Sequence, residues 1–134
     1  MTALRVIKPS DRLDDVASGP MLREAAVSQQ TVGAKHLWAG FVRLEPGLVS
    51  AVHHHGEAES AIYMISGRAR FYTGEQLEDV HDASAGDFVW VPPNLVHVEQ
   101  NVSAEEPALM VVARSTQETL VFNMPTPKGW TPAP

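Results

Sequence analysis

The chain has 134 residues, a net charge of −6, 44% hydrophobic and 19% charged residues, and no cysteine. That length supports one domain, 1–134, with a modest core. The missing thiols exclude a disulfide scaffold and any thiolate metal site, and ten scattered basic residues without a run argue against a nucleic-acid partner.

The first twenty residues contain no apolar stretch of signal-peptide length, and no later run reaches the ~18 apolar residues of a membrane span. The expectation is a cytoplasmic protein with no membrane partner. Residues 1–20 read as an N-terminal arm. Within it, "SDRLDDVAS" (10–18) has Ser10 as a cap and acids in the first turn, the pattern of one or two helical turns. "MLREAAVSQQ" (21–30) holds helix formers at a spacing that decides nothing.

From residue 36 the pattern changes to short apolar runs cut by Gly, Pro and Asn: "HLWAGFVRL" (36–44), "LVSAV" (48–52), "SAIYMIS" (60–66), "RARFY" (68–72), "GDFVWVPP" (86–93), "PALMVVARS" (107–115) and "TLVFN" (119–123). Enrichment in Val, Ile and aromatic residues between turn formers predicts an all-β sandwich or barrel. Phe88, Val89, Trp90 and Val91 are apolar on both faces of one strand. This predicts cover on both sides, from the barrel interior and from a second layer or a partner. Phe41, Tyr63, Met64, Phe71 and Met110 read first as core and second as pocket lining. Four of the ten prolines fall in 124–134. That tail cannot make a helix or a central strand, and Trp130 favours an extended arm lying on the barrel or on a neighbouring subunit over a frayed end.

The chemistry gathers at "SAVHHHGEAES" (50–60). Residues two apart on a strand share a face, about 6.6 Å apart, so His53 and His55 can converge on one ion and His54 points away, orienting the loop or meeting a partner. A His-x-His pair alone leaves metal site and solvated loop evenly weighed. His97, after a proline-bounded turn, opens the next strand; if the barrel closes, it lies beside the pair. His36 and His81 read as surface or edge residues, and Glu57 as a solvated charge.

These residues carry a resemblance. Gly47, His53, His55, Glu59 and Gly67 fall at the spacing of the first motif of the cupins, and Gly86, Pro92, His97 and Asn101 at that of the second. Asn94 stands where the second motif has a glycine, and Asn tolerates left-handed backbone. The resemblance implies a double-stranded β-helix, or jelly-roll, barrel and a homodimer. It also implies a divalent transition metal (Zn, Fe, Mn, Ni or Cu) on His53, His55, Glu59 and His97. The acid carries an internal conflict: counting forward from His55 gives Glu59, whereas counting back from Gly67 gives Ser60. If Ser60, Ile62 and Met64 share the inner face, Glu59 points outward unless a bulge at 56–59 turns it in. The functional expectation is a metal-dependent enzyme of dioxygenase, isomerase or lyase type acting on a small metabolite. The alternative is a non-catalytic barrel that senses or carries a small ligand. No dinucleotide fingerprint, P-loop or nucleophile elbow is present.

Overall fold

The computed structural model describes residues 3–15, 21–118 and 120–133. Strict alternation of large apolar with smaller or polar residues builds its centre. Strands β3 (Trp38–Leu44), β5 (Ser60–Ser66) and β10 (Ala108–Arg114) each bury every second side chain. The inward set, Trp38, Val42, Leu44, Ile62, Met64, Ala108, Met110 and Val112, forms one core with Ala69, Phe71 and Val91. A period of two does this because successive strand side chains leave opposite faces.

The remaining described strands are β1 (Leu13–Asp14), β2 (Leu22–Val27), β4 (His53–His54), β6 (Arg68–Thr73), β7 (Asp79–Ser84), β8 (Phe88–Val91), β9 (His97–Gln100) and β11 (Phe122–Asn123). They form two sheets, in the orders β1-β2-β3-β10-β5-β8 and β11-β4-β9-β6-β7, with every pairing antiparallel. The all-β expectation holds. The chain crosses from one sheet to the other between β5 and β6 through Gly67 alone. Its φ is +78°, and a Cβ there would run into the backbone carbonyl of Pro107. Asn94 takes φ +62°, the left-handed conformation expected of it.

The ambiguous segment 21–30 resolves into strand. β2 pairs with β3 and places Arg23 and Ala25 inward. A single helical turn, α1 (Gln29–Val32), follows, capped by Ser28, whose Oγ accepts from the Thr31 amide, and closed by Gly33 in left-handed conformation. The turn expected within 10–18 shrinks to a 3₁₀ turn at Pro9–Asp11. Lys8, not Ser10, precedes it, and its amide donates to Asp11 Oδ2 at 3.1 Å. Residues 16–18 lie outside the described residues, as does Thr119. The run 48–52 makes only a bridge, Val49 with Gln100, because the pairing that would extend it begins at His53.

Two expectations need correction or extension. Phe88 and Trp90 are not buried: they stand 76% and 65% exposed on the outer face of β8, a sheet-edge strand, with only Val89 and Val91 turned toward the core. β7 has no apolar alternation and so gives no strand signal in the sequence. It is an edge strand that buries Ala83 alone and is held to β6 by pairing, including a 2.7 Å Arg70–Asp82 contact. The proline-rich tail lies across the outer face of β6 and β9. Trp130 meets Tyr72 edge-on at 5.2 Å and joins a second cluster with Val52, Leu77 and Val98. The Ala133 amide donates to Tyr72 Oη at 3.0 Å and its carbonyl accepts from Gln100 Nε2 at 3.2 Å.

Candidate metal centre

β4 and β9 pair with His53 directly opposite His97. That single register joins residues far apart in sequence. His55 follows the end of β4, on the side of His53. The His53 ring lies 4.8 Å from that of His55 and 4.3 Å from that of His97, and the last two rings are 5.3 Å apart. One ligand nitrogen from each lies within 4.8 Å of the others. His53 and His97 are 0% and 1% exposed; His55 is half-buried.

The hydrogen bonds select the free nitrogen. Each Nδ1 faces a backbone carbonyl: His53 that of Ala51 at 2.7 Å, His55 that of Leu120 at 2.8 Å, His97 that of Leu95 at 2.9 Å. A carbonyl only accepts, so Nδ1 carries the hydrogen in each ring. In the neutral ring Nε2 is then left as an acceptor or ligand, the second-shell arrangement that metal-binding histidines use. His53 Nε2 and His97 Nε2 are buried and make no hydrogen bond. A buried unsatisfied polar atom costs ~1–3 kcal/mol, and a cation shared by the converging Nε2 atoms would satisfy them. The donor set, nitrogen with no sulfur, suits a divalent transition ion.

Glu59 is not part of this group. Ser60, Ile62 and Met64 share the inner face of β5. Glu59 is therefore turned out, and its Oε2 accepts from Trp90 Nε1 at 2.8 Å. Gly56 does take positive φ, but the tight turn it makes, closed by the Ala58 amide on the His55 carbonyl at 3.1 Å, leaves Glu59 outside. His54 points away as expected, stacking on Phe122 at 5.0 Å and accepting from the Gly56 amide at 3.0 Å, so it braces the loop. Glu57 is exposed and accepts from Asn94 Nδ2 at 3.3 Å. His36 and His81 are exposed. Tyr63 faces outward against Phe88, away from the histidines.

The carboxylate that does stand inside is Glu99, 4% exposed. It sits two residues after His97 on β9, hence on the same face, with Oε1 3.3 Å from His97 Nε2. The sequence signal was available: the alternation that selects His53 and His55 also selects His97 and Glu99. The first motif hides it by supplying an acid, Glu59, elsewhere. Burial works to raise the Glu99 carboxyl, but the contact with His97 and the charges of His97, His53 and Arg23 outweigh it and hold it at about 2. His97 is the reverse case: burial works to lower it, and Glu99 outweighs burial and raises it. Burial, then the charge of His97, lowers His53. Burial, with smaller contributions from His53 and His97, takes His55 down to about 4. Near neutrality His53 and His55 are therefore uncharged and fit to bind a cation.

The cluster borders a cavity of about 20 Å³ lined by His55, His97, Glu99, Ser60, Met110, Arg23 and Arg114, among others. His97 also borders a larger cleft of about 400 Å³ between β6–β7 and β8, walled by Phe71, Thr73, Phe88, Trp90 and Leu95. The site thus has an enclosed polar side and an open apolar side.

The model of the cupin domain family matches residues 40–114. An oxalate decarboxylase of Arthroderma benhamiae is 37% identical over 75 residues, which are 54% of this chain and 18% of that protein. This chain thus spans less than a fifth of that relative. Among solved structures, an uncharacterised protein with a double-stranded β-helix domain from Klebsiella pneumoniae superposes with a TM-score of 0.70 at 19% identity, over 92% of this chain and 100% of the other. The oxalate decarboxylase of Bacillus subtilis gives 0.71 at 26% identity, over 92% of this chain and 33% of its own.

Proposed function

The chain belongs to the cupin family, and on that premise we propose that it is a metal-dependent enzyme acting on a small metabolite, with the ion held by His53, His55 and His97. The observation that carries the reading is the convergence of three imidazoles whose Nδ1 atoms are fixed by backbone carbonyls, with His53 Nε2 buried and without a partner and His97 Nε2 facing only Glu99 Oε1 at 3.3 Å. A divalent ion held by three imidazoles keeps coordination positions open and supplies Lewis-acid, hydroxide-generating or redox chemistry there. The chain's own residues set the surroundings. The three carbonyls orient the rings, Glu99 stands as an ionised carboxylate beside His97, and Met110, Ile62 and Val112 wall off water. Among the dioxygenase, isomerase and lyase types, the likeness to oxalate decarboxylases supports the lyase type.

The test is turnover that depends on the metal. The protein is stripped with a chelator, reloaded with single divalent ions, and incubated with a panel of small hydroxy, keto and carboxylic acids followed by NMR. Conversion that needs the ion and disappears in His55→Ala supports the reading. A loaded protein that binds members of the panel and converts none would instead be the non-catalytic carrier.

A further inference from the structure

Three buried side-chain polar atoms lack a hydrogen-bond partner among the described residues: His53 Nε2, His97 Nε2 and Arg23 Nε. The first two are accounted for by a cation. The third is not, since a guanidinium only donates and repels a cation. Arg23 projects inward from β2 and is 6% exposed. It lines the same 20 Å³ cavity as His55, His97 and Glu99. It also lies outside the residues that match the family model, 40–114.

Its surroundings deepen the imbalance. The second buried guanidinium of the cavity, Arg114 on β10, is satisfied. Its Nε donates to the Thr116 carbonyl at 2.9 Å, its Nη2 to the Gln117 carbonyl at 3.2 Å, and it lies 4.2 Å over the Trp38 ring. Burial first, and then the charge of Arg23, takes Arg114 down to about 10, a sign that the two cations feel one another. Among the described residues no carboxylate lies within 4 Å of Arg23; its charge acts on Glu99 from farther off, its guanidinium lies 6.0 Å from the Trp38 ring, and Glu99 is engaged with His97. A buried charge persists where it is paired or hydrogen-bonded, and Arg is the side chain whose planar fork fits a carboxylate.

We propose that Arg23 is the anchor for the carboxylate of a small anionic ligand, holding it in the enclosed cavity beside the three histidines. The cavity admits one or two water-sized groups, which is the demand of two carboxylate oxygens. The rest of a larger acid would extend past His97 into the open cleft. Ile62, Val91, Met110 and Val112 make the rest of the wall apolar, and Arg23 is the lining cation whose donor is left open, Arg114 being already bonded. Specificity then falls on charge, because an uncharged isostere leaves the guanidinium unpaired. The proposal uses the metal reading only for the ligand's second contact; the part of Arg23 stands on its own orphaned donor.

The experiment is calorimetric titration of the full chain, with bound metal measured on the same samples. Acetate and oxalate are the probes, and acetamide is the neutral control. The expected result is binding of the acids, no detectable binding of acetamide, and at least about tenfold weaker binding of both acids by Arg23→Met, with metal content unchanged. Arg23→Lys, which keeps the charge and loses the fork, should fall between. Equal binding of acetate and acetamide by the wild-type chain overturns the proposal without recourse to any variant. So does Arg23→Met binding oxalate like wild type. Acid binding that needs Arg23 in a chain that takes up no metal would support this proposal while contradicting the metal centre, so the two failures are distinguishable.

Discussion

At the scale of single residues, the site is a contest between burial and charge. His53 and His55 are held below the ordinary histidine value, His55 at about 4, and burial is the leading cause in both. A base whose folded-state value is depressed contributes stability above the unfolded value near 6.5, and this is lost as pH falls toward the folded value. Metal-free protein should therefore lose thermal stability between about pH 6.5 and pH 4, in the direction these two rings dictate. His97, raised by Glu99, opposes the trend: its contribution is full below 6.5 and fades as pH rises. A melting temperature that is flat or rising on acidification across that window would contradict the assignment. The same pair predicts that Glu99→Gln weakens metal binding, since the amide removes a charge beside His97, whereas Glu59→Gln leaves it intact because Glu59 faces Trp90. Isothermal metal titration of the two variants reads the difference.

The sequence was most legible at this scale for the histidines. Alternation selected His53 and His55 and turned His54 away, and the second motif added His97. The acid was misplaced because a counting rule across a turn carries an error of one residue, and on a strand one residue is the difference between inside and outside.

At the scale of elements, runs with strict period two were predicted at or near their observed bounds: 60–66 as β5, and 36–44 and 107–115 as β3 and β10 with trimmed ends. What resisted prediction lacked that pattern. β7, with only Val80 and Ala83 apolar and no alternation, exists because β6 offers it a partner. β2 is built from helix-forming residues, "LREAAV", and becomes a strand because β3 has an open edge there, a tertiary override of propensity. That override matters for function, since it carries Arg23 inward. The connections are equally sequence-specific. Gly67 needs positive φ and has the Pro107 carbonyl against its α-carbon, whereas Gly47, also at positive φ, has open space around it. Gly47→Ala should cost about 1 kcal/mol of folding stability from backbone strain alone. Gly67→Ala should cost at least twice that, because the β5–β6 crossing would have to move. Urea denaturation of the pair tests the ranking, and equal losses would show that the close approach is not limiting.

At the scale of the whole molecule, two outer surfaces are treated differently. Over β6 and β9 the C-terminal arm covers Tyr72, Leu77 and Val98 with Trp130, so the outward residues of β9, Val98 and Gln100, are buried like the inward pair His97 and Glu99. Trp130→Ala should lower stability by about 2 kcal/mol, less than the ~3–5 kcal/mol of a fully buried aromatic because Trp130 stays partly exposed. Chemical denaturation checks it, and no change would mean the arm adds nothing to the barrel. Over β5 and β8, Phe88, Trp90, Tyr63 and Ile65 stay exposed among the described residues. The homodimer implied by the family resemblance would have its apolar face here. Sedimentation should show a dimer that Phe88→Asp converts to monomer; a wild-type monomer would retire the idea.

The central claim is that one register, His53 opposite His97, gathers three imidazoles onto one cation. Its most direct measurement is metal stoichiometry by equilibrium dialysis and elemental analysis, comparing wild type with His53→Ala, His55→Ala, His97→Ala and Glu59→Ala. The expected result is one divalent ion per wild-type chain, retained by Glu59→Ala and lost or severely weakened in each histidine variant. A wild-type chain that takes up no ion, or a histidine variant that binds as wild type does, would contradict it.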